Sequence, residues 1–462
     1  MQYSVLNIKE TVGDFRIDAE AYLPKYLKNE AILGKKEHTT LRKEVKVFAK
    51  GIFDIKAECY LEKEGIPFIR IGDLGDVLLN DSYVRIPELE NKKNKRTFLK
   101  KGDLVISKTA YAAASLVSID FCNVSQDIIA IKLKDNSVVN SHYLAVFLNC
   151  SYGLLQMQRW FSGNIQSHLN LNDSSTIKIP IFNDSFQILV EKYVEQALAL
   201  KRKSADLYFN AEKILLSELG LLGWKPKHQL SFVKNFSDTK SADRIDAEHF
   251  QPVYDEVENT VKYYKNGWDV IGNKFKQNKK GFKKESSKIY NYVEIGCVRV
   301  SDGAIEPLSL NGYELPANAK IKLDKNDVIV SKVRPYRGAI GIVESDDLVG
   351  SAAFTVLREF SDINKETLAG LLRTKPYLEY SLKFNSGTSY PTINDSDILN
   401  FPIPMFPSTI QDTIKQQIRI AAEAQHNSKA LLKIAKTGVE MAIEKSEEVA
   451  LQWINQEVKS YA

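Results

Sequence analysis

The chain offers few side chains whose types and spacing could perform catalysis. Its six histidines lack the short spacings of metal ligands; they are His38, His142, His168, His228, His249 and His426. The four cysteines form no CxxC pair, which argues against a zinc ribbon and favours reduced thiols; they are Cys59, Cys122, Cys150 and Cys297. The sequence contains no P-loop, HExxH motif or GxSxG elbow. It therefore predicts neither catalysis nor a metal site in this chain.

Three weaker signals do not change this prediction. The glycine-rich segment 338–341 lacks the GxGxxG frame and lies among strand-like residues, which favours a β-turn over a phosphate loop. No Asn-Pro-Pro-Tyr motif of an amino-methyltransferase is present. The carboxylates of a repeated Arg-Ile-Asp-Ala-Glu segment (RIDAE) are most simply explained as the start of a helix.

The basic side chains are better suited to holding nucleic acid. A net charge of +5 is too mild to argue for this by itself, so the distribution of charge matters. Segment 273–288 has seven lysines and one glutamate, which suits phosphate contact, although a solvated charge run is the alternative. The turn at 333–337 has two arginines and a tyrosine, which suit guanine edges or phosphates, with structural salt bridges as the alternative.

The candidate DNA contacts lie in loops of both halves of the chain. In the first half they are Lys92, Lys93, Lys95, Arg96, Lys108, Thr109, Tyr111, Gln166, Ser167 and His168. In the second half they are Lys279, Lys280, Lys283, Lys332, Arg334, Tyr336, Arg337, Thr388, Ser389 and Tyr390. The acidic Glu88 and Glu90 dilute the first basic cluster. No metal ligand and no catalytic residue is predicted.

These loops belong to a segment that occurs twice. RIDAE stands at 16–20 and again at 244–248, and a proline follows four residues later at Pro24 and Pro252. Further along, the two copies keep a constant offset of 224 positions (332 − 108), which pairs GDLVISK with NDVIVSK, IPIF with IPMF, and Gln187 with Gln411. A constant offset over so long a stretch indicates an internal duplication.

Each copy predicts the same order of elements. A short helix is expected at 18–33 and at 246–265, with Asp18 and Asp246 as N-caps. Short β-branched runs at 104–108 and 328–332 predict strands. A helix follows at 141–160 or 365–383, then a loop beginning Ser-Gly (the SG loop, 162–170 and 386–394), and a strand ending in IPIF or IPMF.

Each copy ends in a long amphipathic helix. From Phe186 to Glu218, mostly apolar residues recur at alternating spacings of four and three. The same pattern returns from Ile410 to Ala442. This spacing is typical of a coiled-coil seam, so we expect the two helices to pack together antiparallel. Gly220 and Gly223, followed by a proline, should end the first helix. A helix of about 35 residues is ~50 Å long and could act as a spacer.

The predicted fold is therefore α/β (α+β), with two similar globular lobes separated by two long antiparallel helices and related by an internal pseudo-twofold repeat. The expected boundaries are 1–182 for the first lobe, 183–222 for the central helix, 223–406 for the second lobe and 407–462 for the C-terminal helix and tail. The sequence shows no signal peptide and no apolar run of about 18 residues, which predicts a cytoplasmic protein.

The two copies share a frame but differ in their loops. Thr109-Ala110-Tyr111 has no arginine where the second copy has Val-Arg-Pro-Tyr-Arg, and Gln166-Ser167-His168 aligns with Tyr390-Pro391-Thr392. Two lobes with a common frame and different loops would read two different base sequences.

Taken together, RIDAE, GDLVISK or NDVIVSK, the SG loop before IPIF or IPMF, and the long helix that begins beside a glutamine resemble the specificity subunit of type I restriction–modification systems. The resemblance covers both halves in the right order. It implies two target-recognition domains, each reading one half of a split DNA site, with the helices setting the gap. It also implies a non-catalytic subunit that binds double-stranded DNA, two methylation subunits and restriction subunits.

The resemblance places the cofactors on the partners: S-adenosylmethionine for adenine methylation, and ATP with Mg for restriction. We expect the methylation subunits to dock on the long helices, one near each end. Three alternatives remain: a specificity chain of a related methylation system that is not type I, a fused methyltransferase, and a coiled-coil adaptor that holds two protein partners.

Overall fold

The computed structural model describes residues 19–61, 63–80, 83–162, 168–387 and 390–461. The chain divides into two compact units, which we call the first unit (Met1–Lys201 and Gln425–Ala462) and the second unit (Arg202–Ala424). The division falls within the two long helices, so each unit contains a lobe together with one part of each helix.

The first unit is built from short strands and helices. Its strands are β1 (His38–Thr40), β2 (Val45–Lys50), β3 (Ile66–Ile69), β4 (Val77–Leu78), β5 (Val84–Ile86), β6 (Leu99–Lys100), β7 (Leu104–Ser107), β8 (Ala114–Leu116), β9 (Phe121–Val124), β10 (Ile128–Leu133), β11 (Phe161–Ser162), β12 (His168–Leu169) and β13 (Lys178–Pro180). The helices that begin in it are α1 (Pro24–Gly34), α2 (Leu41–Glu44), α3 (Glu88–Lys93), α4 (Ser141–Asn149), α5 (Ser151–Trp160), α6 (Leu171–Ser174) and the long α7 (Asp184–Glu218).

The second unit repeats this plan. Its strands are β14 (Trp268–Val270), β15 (Phe275–Gln277), β16 (Ile289–Val293), β17 (Leu308–Asn311), β18 (Ala319–Leu323), β19 (Val328–Ser331), β20 (Ile340–Ile342), β21 (Leu348–Ser351), β22 (Phe354–Glu359) and β23 (Pro402–Pro404). The helices that begin in it are α8 (Phe236–Ala242), α9 (Pro252–Lys262), α10 (Ile271–Lys274), α11 (Lys365–Leu372), α12 (Lys375–Tyr380), α13 (Asp395–Leu399) and the long α14 (Ser408–Glu444).

The two main sheets of each unit have the same strand order, except that β4 adds a fifth strand to one sheet of the first unit. In the first unit the order is β2-β10-β7-β8-β4 in one sheet and β5-β3-β9-β6 in the other. In the second unit it is β15-β22-β19-β20 and β17-β16-β21-β18. In the four-stranded sheet of the first unit, β3 and β9 are parallel, and their counterparts β16 and β21 in the second unit are parallel too. The mixed α/β class predicted from the sequence is confirmed.

Side chains of the central strands alternate between two hydrophobic cores, one on each face of the sheet. Leu104 and Ile106 of β7 belong to the core that includes α4 and the long helices, whereas Val105 belongs to a second core between the two sheets. Successive side chains of a strand point to opposite faces, so a strand buried on both faces reads as a continuous apolar run. This accounts for the LVIS and VIVS segments, all of whose residues are buried.

The long helices pack along the predicted seam. None of the ten seam positions of either helix is exposed. Within the first unit, the Ser428 hydroxyl donates to the carbonyl of Ala197 at 2.7 Å, and the amide of Asn183 donates to Glu447 at 3.0 Å. The earlier residue, Asn183 just before α7, contacts the later residue of the C-terminal segment, so the two segments run antiparallel there, as predicted. Past the end of α7, Gly220 and Gly223 have φ of 69° and 77°, as expected for a helix terminus.

Several helix boundaries differ from the prediction. The tail that follows α14 contains a further helix that was not predicted, α15 (Glu447–Glu457), capped by Ser446. The helix expected at 141–160 is two helices, because Cys150 has an extended backbone. The segment 365–383 is likewise divided into α11, α12 and a 3₁₀ turn.

The prediction that Asp246 caps a helix is wrong. Helix α9 begins at Pro252, with Gln251 at the N-cap position. Proline favours the first helical position because its fixed φ suits the helix and its missing N–H is not needed there. Helix α1 begins in the same way at Pro24. Asp18 lies outside the described residues.

In the parts of the chain that the structure describes, no helix combines the length and apolar character needed to cross a membrane.

Candidate nucleic-acid interface

In both units, the strand that carries the VISK or VIVSK sequence ends beside the SG loop. In the first unit, the amide of Leu169 donates to the carbonyl of Lys108 at 2.7 Å, and Thr109 pairs with His168. The positions 224 residues later do the same: Ile393 donates to Lys332 at 2.9 Å, and Val333 pairs with Thr392. We call 108–111 with 168–169 the first tip, and 332–337 with 390–393 the second tip.

The second tip carries a half-buried arginine stacked on an exposed aromatic ring. The Arg334 guanidinium lies 4.4 Å from the centre of the Tyr390 ring, and that tyrosine is 65% exposed. Arg334 has φ of 48°, an unusual conformation for a side-chain-bearing residue, and its amide donates to Pro391 at 2.7 Å. Strained backbone of this kind is often found at binding sites. A planar guanidinium beside an exposed ring could donate to a base edge while the ring stacks.

The other residues of this turn range from the buried Pro335 to the exposed Arg337. Pro335–Arg337 forms a 3₁₀ turn in which Tyr336 is half-buried and Arg337 is exposed. Among the described residues, neither Arg334 nor Arg337 is within ion-pair distance of a carboxylate. The alternative role for these arginines, a structural salt bridge, therefore has no carboxylate partner among the described residues.

Lys332 is bound differently. Its amino group is 3.2 Å from a carboxylate oxygen of Asp395, which also accepts from Thr355 at 2.6 Å. Burial would raise the pKa of Asp395, but hydrogen bonds from Thr355, Gln277 and Lys332 outweigh it and hold that pKa below its usual range. Lys332 and its ion-pair partner Asp395 thus both line a cleft of about 450 Å³.

The first tip has no arginine and holds its aromatic ring by hydrogen bonding. The Tyr111 hydroxyl donates to the carbonyl of Ile71 at 2.8 Å, while the residue remains 46% exposed. Burial and the nearby Asp73 raise the pKa of Tyr111. The Nδ1 atom of His168 is buried and has no hydrogen-bond partner among the residues that the structure describes. Gln166 and Ser167, like Thr388 and Ser389 of the second copy, lie outside the described residues.

A basic cleft lies in the first unit, and it contains a lysine that sequence reasoning missed. Its volume is about 420 Å³, and its lining includes Lys50, Lys93, Lys95 and Arg96. Lys50 ends β2, far in sequence from the others, and no local motif marks it. Its charge also acts on Lys108, whose pKa is lowered by burial first and by Lys50 second, with partial compensation from Asp127.

Some of the basic residues near this cleft form ion pairs with acidic neighbours. Lys92 lies 3.6 Å from Glu88 and Lys93 lies 2.6 Å from Glu90, so the acidic residues dilute the cluster as expected. Exposed ion pairs of this type are weak and do not prevent phosphate contact. Lys95 and Arg96 are exposed.

The lysine-rich segment of the second unit serves two purposes. Lys274 is ion-paired with Asp269 at 3.4 Å and Asp362 at 2.9 Å, which holds the segment to the lobe. Lys279, Lys280 and Lys283 are exposed, and Lys280 lies 3.6 Å from Asp324. The backbone of Lys280 also accepts from Lys322 at 2.8 Å, which fixes the exposed lysines beside β18.

The described residues provide little for catalysis. They contain no group of three or more His, Cys, Asp or Glu side chains that could hold a metal ion. Burial raises the pKa of the Cys122 and Cys150 thiols to about 12. A thiol with so high a pKa is a poor nucleophile, because the thiolate is the reactive form.

Comparison with known proteins gives one family match. Residues 43–187, which include the whole first tip, match the family described as type I restriction modification DNA specificity domain. No curated protein is significantly similar in sequence.

Two solved structures are similar over most of the chain. One is the type I restriction-modification S subunit from M. genitalium, with 12% identity and a TM-score of 0.42, covering 91% of this chain and 96% of that one. The other is the HsdS subunit from Thermoanaerobacter tengcongensis, with 14% identity and a TM-score of 0.29, covering 89% and 97%. The family assignment rests on the sequence match alone. Residues 43–187 are therefore similar in sequence to the type I restriction modification DNA specificity domain, the family that the resemblance predicts.

Proposed function

We propose that this chain is a DNA specificity subunit in which each tip reads one half of a split, asymmetric site. The observation that carries the proposal is the pair of tips. The first lies within the matched specificity domain, and the second has the same backbone hydrogen bonds but different exposed side chains. A shared frame with different side chains at the same positions is what two different half-sites require.

Phosphate and base contacts would be made by different residues. Lys50, Lys95 and Arg96 in the first unit, and Lys279 and Lys283 in the second, are suited to the phosphate backbone because they are basic and lie at the surface or in an open cleft. Such contacts orient the protein on DNA without reading its sequence. Base reading is assigned to the tips, with Arg334 and Tyr390 as its main residues in the second unit.

The partners follow from the family resemblance. We propose that α7 and α14 set the number of base pairs between the half-sites and that two methylation subunits dock on them. Those subunits would bind S-adenosylmethionine and modify adenine, and restriction subunits would use ATP and Mg. In this scheme the chain supplies DNA recognition and no catalytic group.

Mapping methylated bases in a host that encodes this chain tests the proposal. Deleting the chain should abolish methylation at one bipartite motif, and restoring it from a plasmid should recover that motif. A host whose methylated motifs are all unchanged after the deletion would disprove the proposal for that organism.

Two binding measurements on the full chain separate the alternatives. A fused methyltransferase would bind S-adenosylmethionine in calorimetry, whereas we expect no binding. A coiled-coil adaptor would bind duplex DNA weakly or not at all, whereas we expect an affinity that falls steeply with salt, because bound phosphates release counterions.

A further inference from the structure

The RIDAE segment of the second unit is repeated without change from the first copy, yet it begins no helix. Helix α9 starts at Pro252, and Asp246 lies well before it. The repeat of these residues therefore needs another physical explanation, which their hydrogen bonds provide.

Within the segment, the arginine and the aspartate form a two-pronged ion pair. The Nε and Nη2 atoms of Arg244 lie 2.8 Å and 2.9 Å from the two carboxylate oxygens of Asp246. The same carboxylate accepts from the amide of His249 at 3.0 Å. The hydrogen bond from Arg244 holds the pKa of Asp246 below its usual range, so the pair stays ionised. Paired contacts of this kind fix the plane of a guanidinium.

The oriented guanidinium then binds the backbone directly before the SG loop. Its Nη2 atom donates to the carbonyl of Asn385 at 3.0 Å, and Nη1 lies 3.4 Å from the carbonyl of Lys383. His249 also donates from Nδ1 to Lys383, at 2.7 Å. Burial lowers the pKa of His249, which favours the neutral ring.

The bound carbonyls lie directly before the residues that shape the second tip. Next to Asn385, Ser386 exchanges backbone hydrogen bonds with Thr392 at 2.9 Å and 3.1 Å. Thr392 in turn pairs with Val333, and Pro391 accepts from the amide of Arg334 at 2.7 Å. A continuous series of contacts thus runs from Arg244 to the stacked pair of Arg334 and Tyr390.

We infer that Arg244 and Asp246 are positioning residues that hold the SG loop in the orientation that presents Tyr390 and Arg334 to DNA. The inference rests on the proposed function and adds to it a role for RIDAE. It also explains why RIDAE is repeated while the tips differ. Both copies need the loop held in place, whatever bases it reads.

The first copy has the same residue types in the same order. Arg16 and Asp18 lie outside the described residues, so their role is argued from sequence alone. We expect Arg16 to serve the first SG loop, which makes Arg16→Ala the matched control for Arg244→Ala.

Selection of bound DNA from a pool of randomised duplexes tests the inference with the full chain. The wild type should select a bipartite motif. Arg244→Ala should lose base preference in one half only, with affinity for the full motif lowered roughly tenfold, the usual effect of losing a charged hydrogen bond. Arg16→Ala should lose preference in the other half. Asp246→Asn should act like Arg244→Ala, since it frees the guanidinium.

Each result supports or overturns the inference. Unchanged preference in both halves for Arg244→Ala overturns it, and so does an equal loss in both halves, which would mean a general loss of folding. If Arg244→Ala does not fold, Arg244→Lys replaces it, because it keeps the charge but not the two-pronged contact, and the same loss in one half is expected. A wild type that selects no bipartite motif disproves the proposed function itself, and the inference with it.

Discussion

The two tips share their backbone hydrogen bonds and differ in almost every side chain that DNA could touch. In the first tip, Tyr111 is bound to a neighbouring loop and no arginine is present. In the second, Arg334 lies on an exposed tyrosine and Lys332 is paired with Asp395. The bonds that define each tip come from the main chain, so the side chains can change without loss of the frame.

Where each long helix meets its lobe, side chains rather than main-chain groups make the defining hydrogen bonds. Gln187 accepts from the amide of Asn140 at 2.8 Å and donates to Val138 and Phe182, both at 3.0 Å. Gln411 makes the three equivalent contacts, at 2.9 Å with Asn364, 2.9 Å with Asp362 and 2.8 Å with Phe406. Here side-chain atoms hold the backbone, and the residue type is the same in both copies.

The largest expected effect tests this equivalence. Gln187→Ala and Gln411→Ala each remove one buried and two partly buried hydrogen bonds to the backbone, so each should lower the free energy of unfolding by roughly 3 kcal/mol. Calorimetry of the two variants should show similar losses. The exposed Gln416→Ala is the control, with an expected change within about 0.5 kcal/mol. A loss confined to one of the two glutamines would break the equivalence of the frames.

Next in size is the effect of removing the stacked arginine. Arg334→Ala should weaken binding to the selected motif by about 1–3 kcal/mol and remove preference in one half-site only. Titrating the variant with duplexes altered in either half measures this. Lys283→Ala is the control, which should weaken all duplexes equally. Retained preference in both halves would show that Arg334 does not read bases.

The sequence predicted the frame well because the frame is encoded locally and twice. Strands β7 and β19 are short buried apolar runs, and the offset that aligns them also aligns the tip hydrogen bonds. The seam of α7 and α14 follows from spacing alone.

Contacts between segments that are distant in sequence are harder to predict. Lys50 joins the basic cleft only because β2 packs beside the turn at 95–97, and Arg334 meets Tyr390 only because the SG loop pairs with the residues that follow β19. Asp246 has the residue type of a helix start, but it pairs with Arg244 two positions away, and Arg244 binds the backbone just before the SG loop. Local patterns do not encode such choices between partners.

A smaller effect separates phosphate contacts from structural lysines. Replacing both Lys279 and Lys283 by alanine should reduce the slope of log affinity against log salt by roughly 0.9 for each lysine that meets a phosphate. The selected motif should be unchanged. Lys276→Ala is the matched control within the same segment, since its amino group lies over the Phe360 ring at 5.0 Å. An equal slope change in the control would mean that the whole segment acts as a diffuse charge.

The smallest expected effect is a pH dependence that belongs to the first tip. Burial and the charge of Lys50 lower the pKa of Lys108 from 10.5, so Lys108 loses its proton at a lower pH than an ordinary lysine. A phosphate would favour the charged form, so affinity should be full below the lowered pKa and should fall as pH rises through it. The loss is at most about tenfold for each pKa unit by which DNA stabilises that charge. Lys108→Arg stays charged throughout and should abolish the fall, which filter-binding titrations between about pH 8 and pH 10 would measure. The same fall in wild type and variant would mean that Lys108 meets no phosphate, and the first tip would then differ from the second in its contacts with the DNA backbone as well as with the bases.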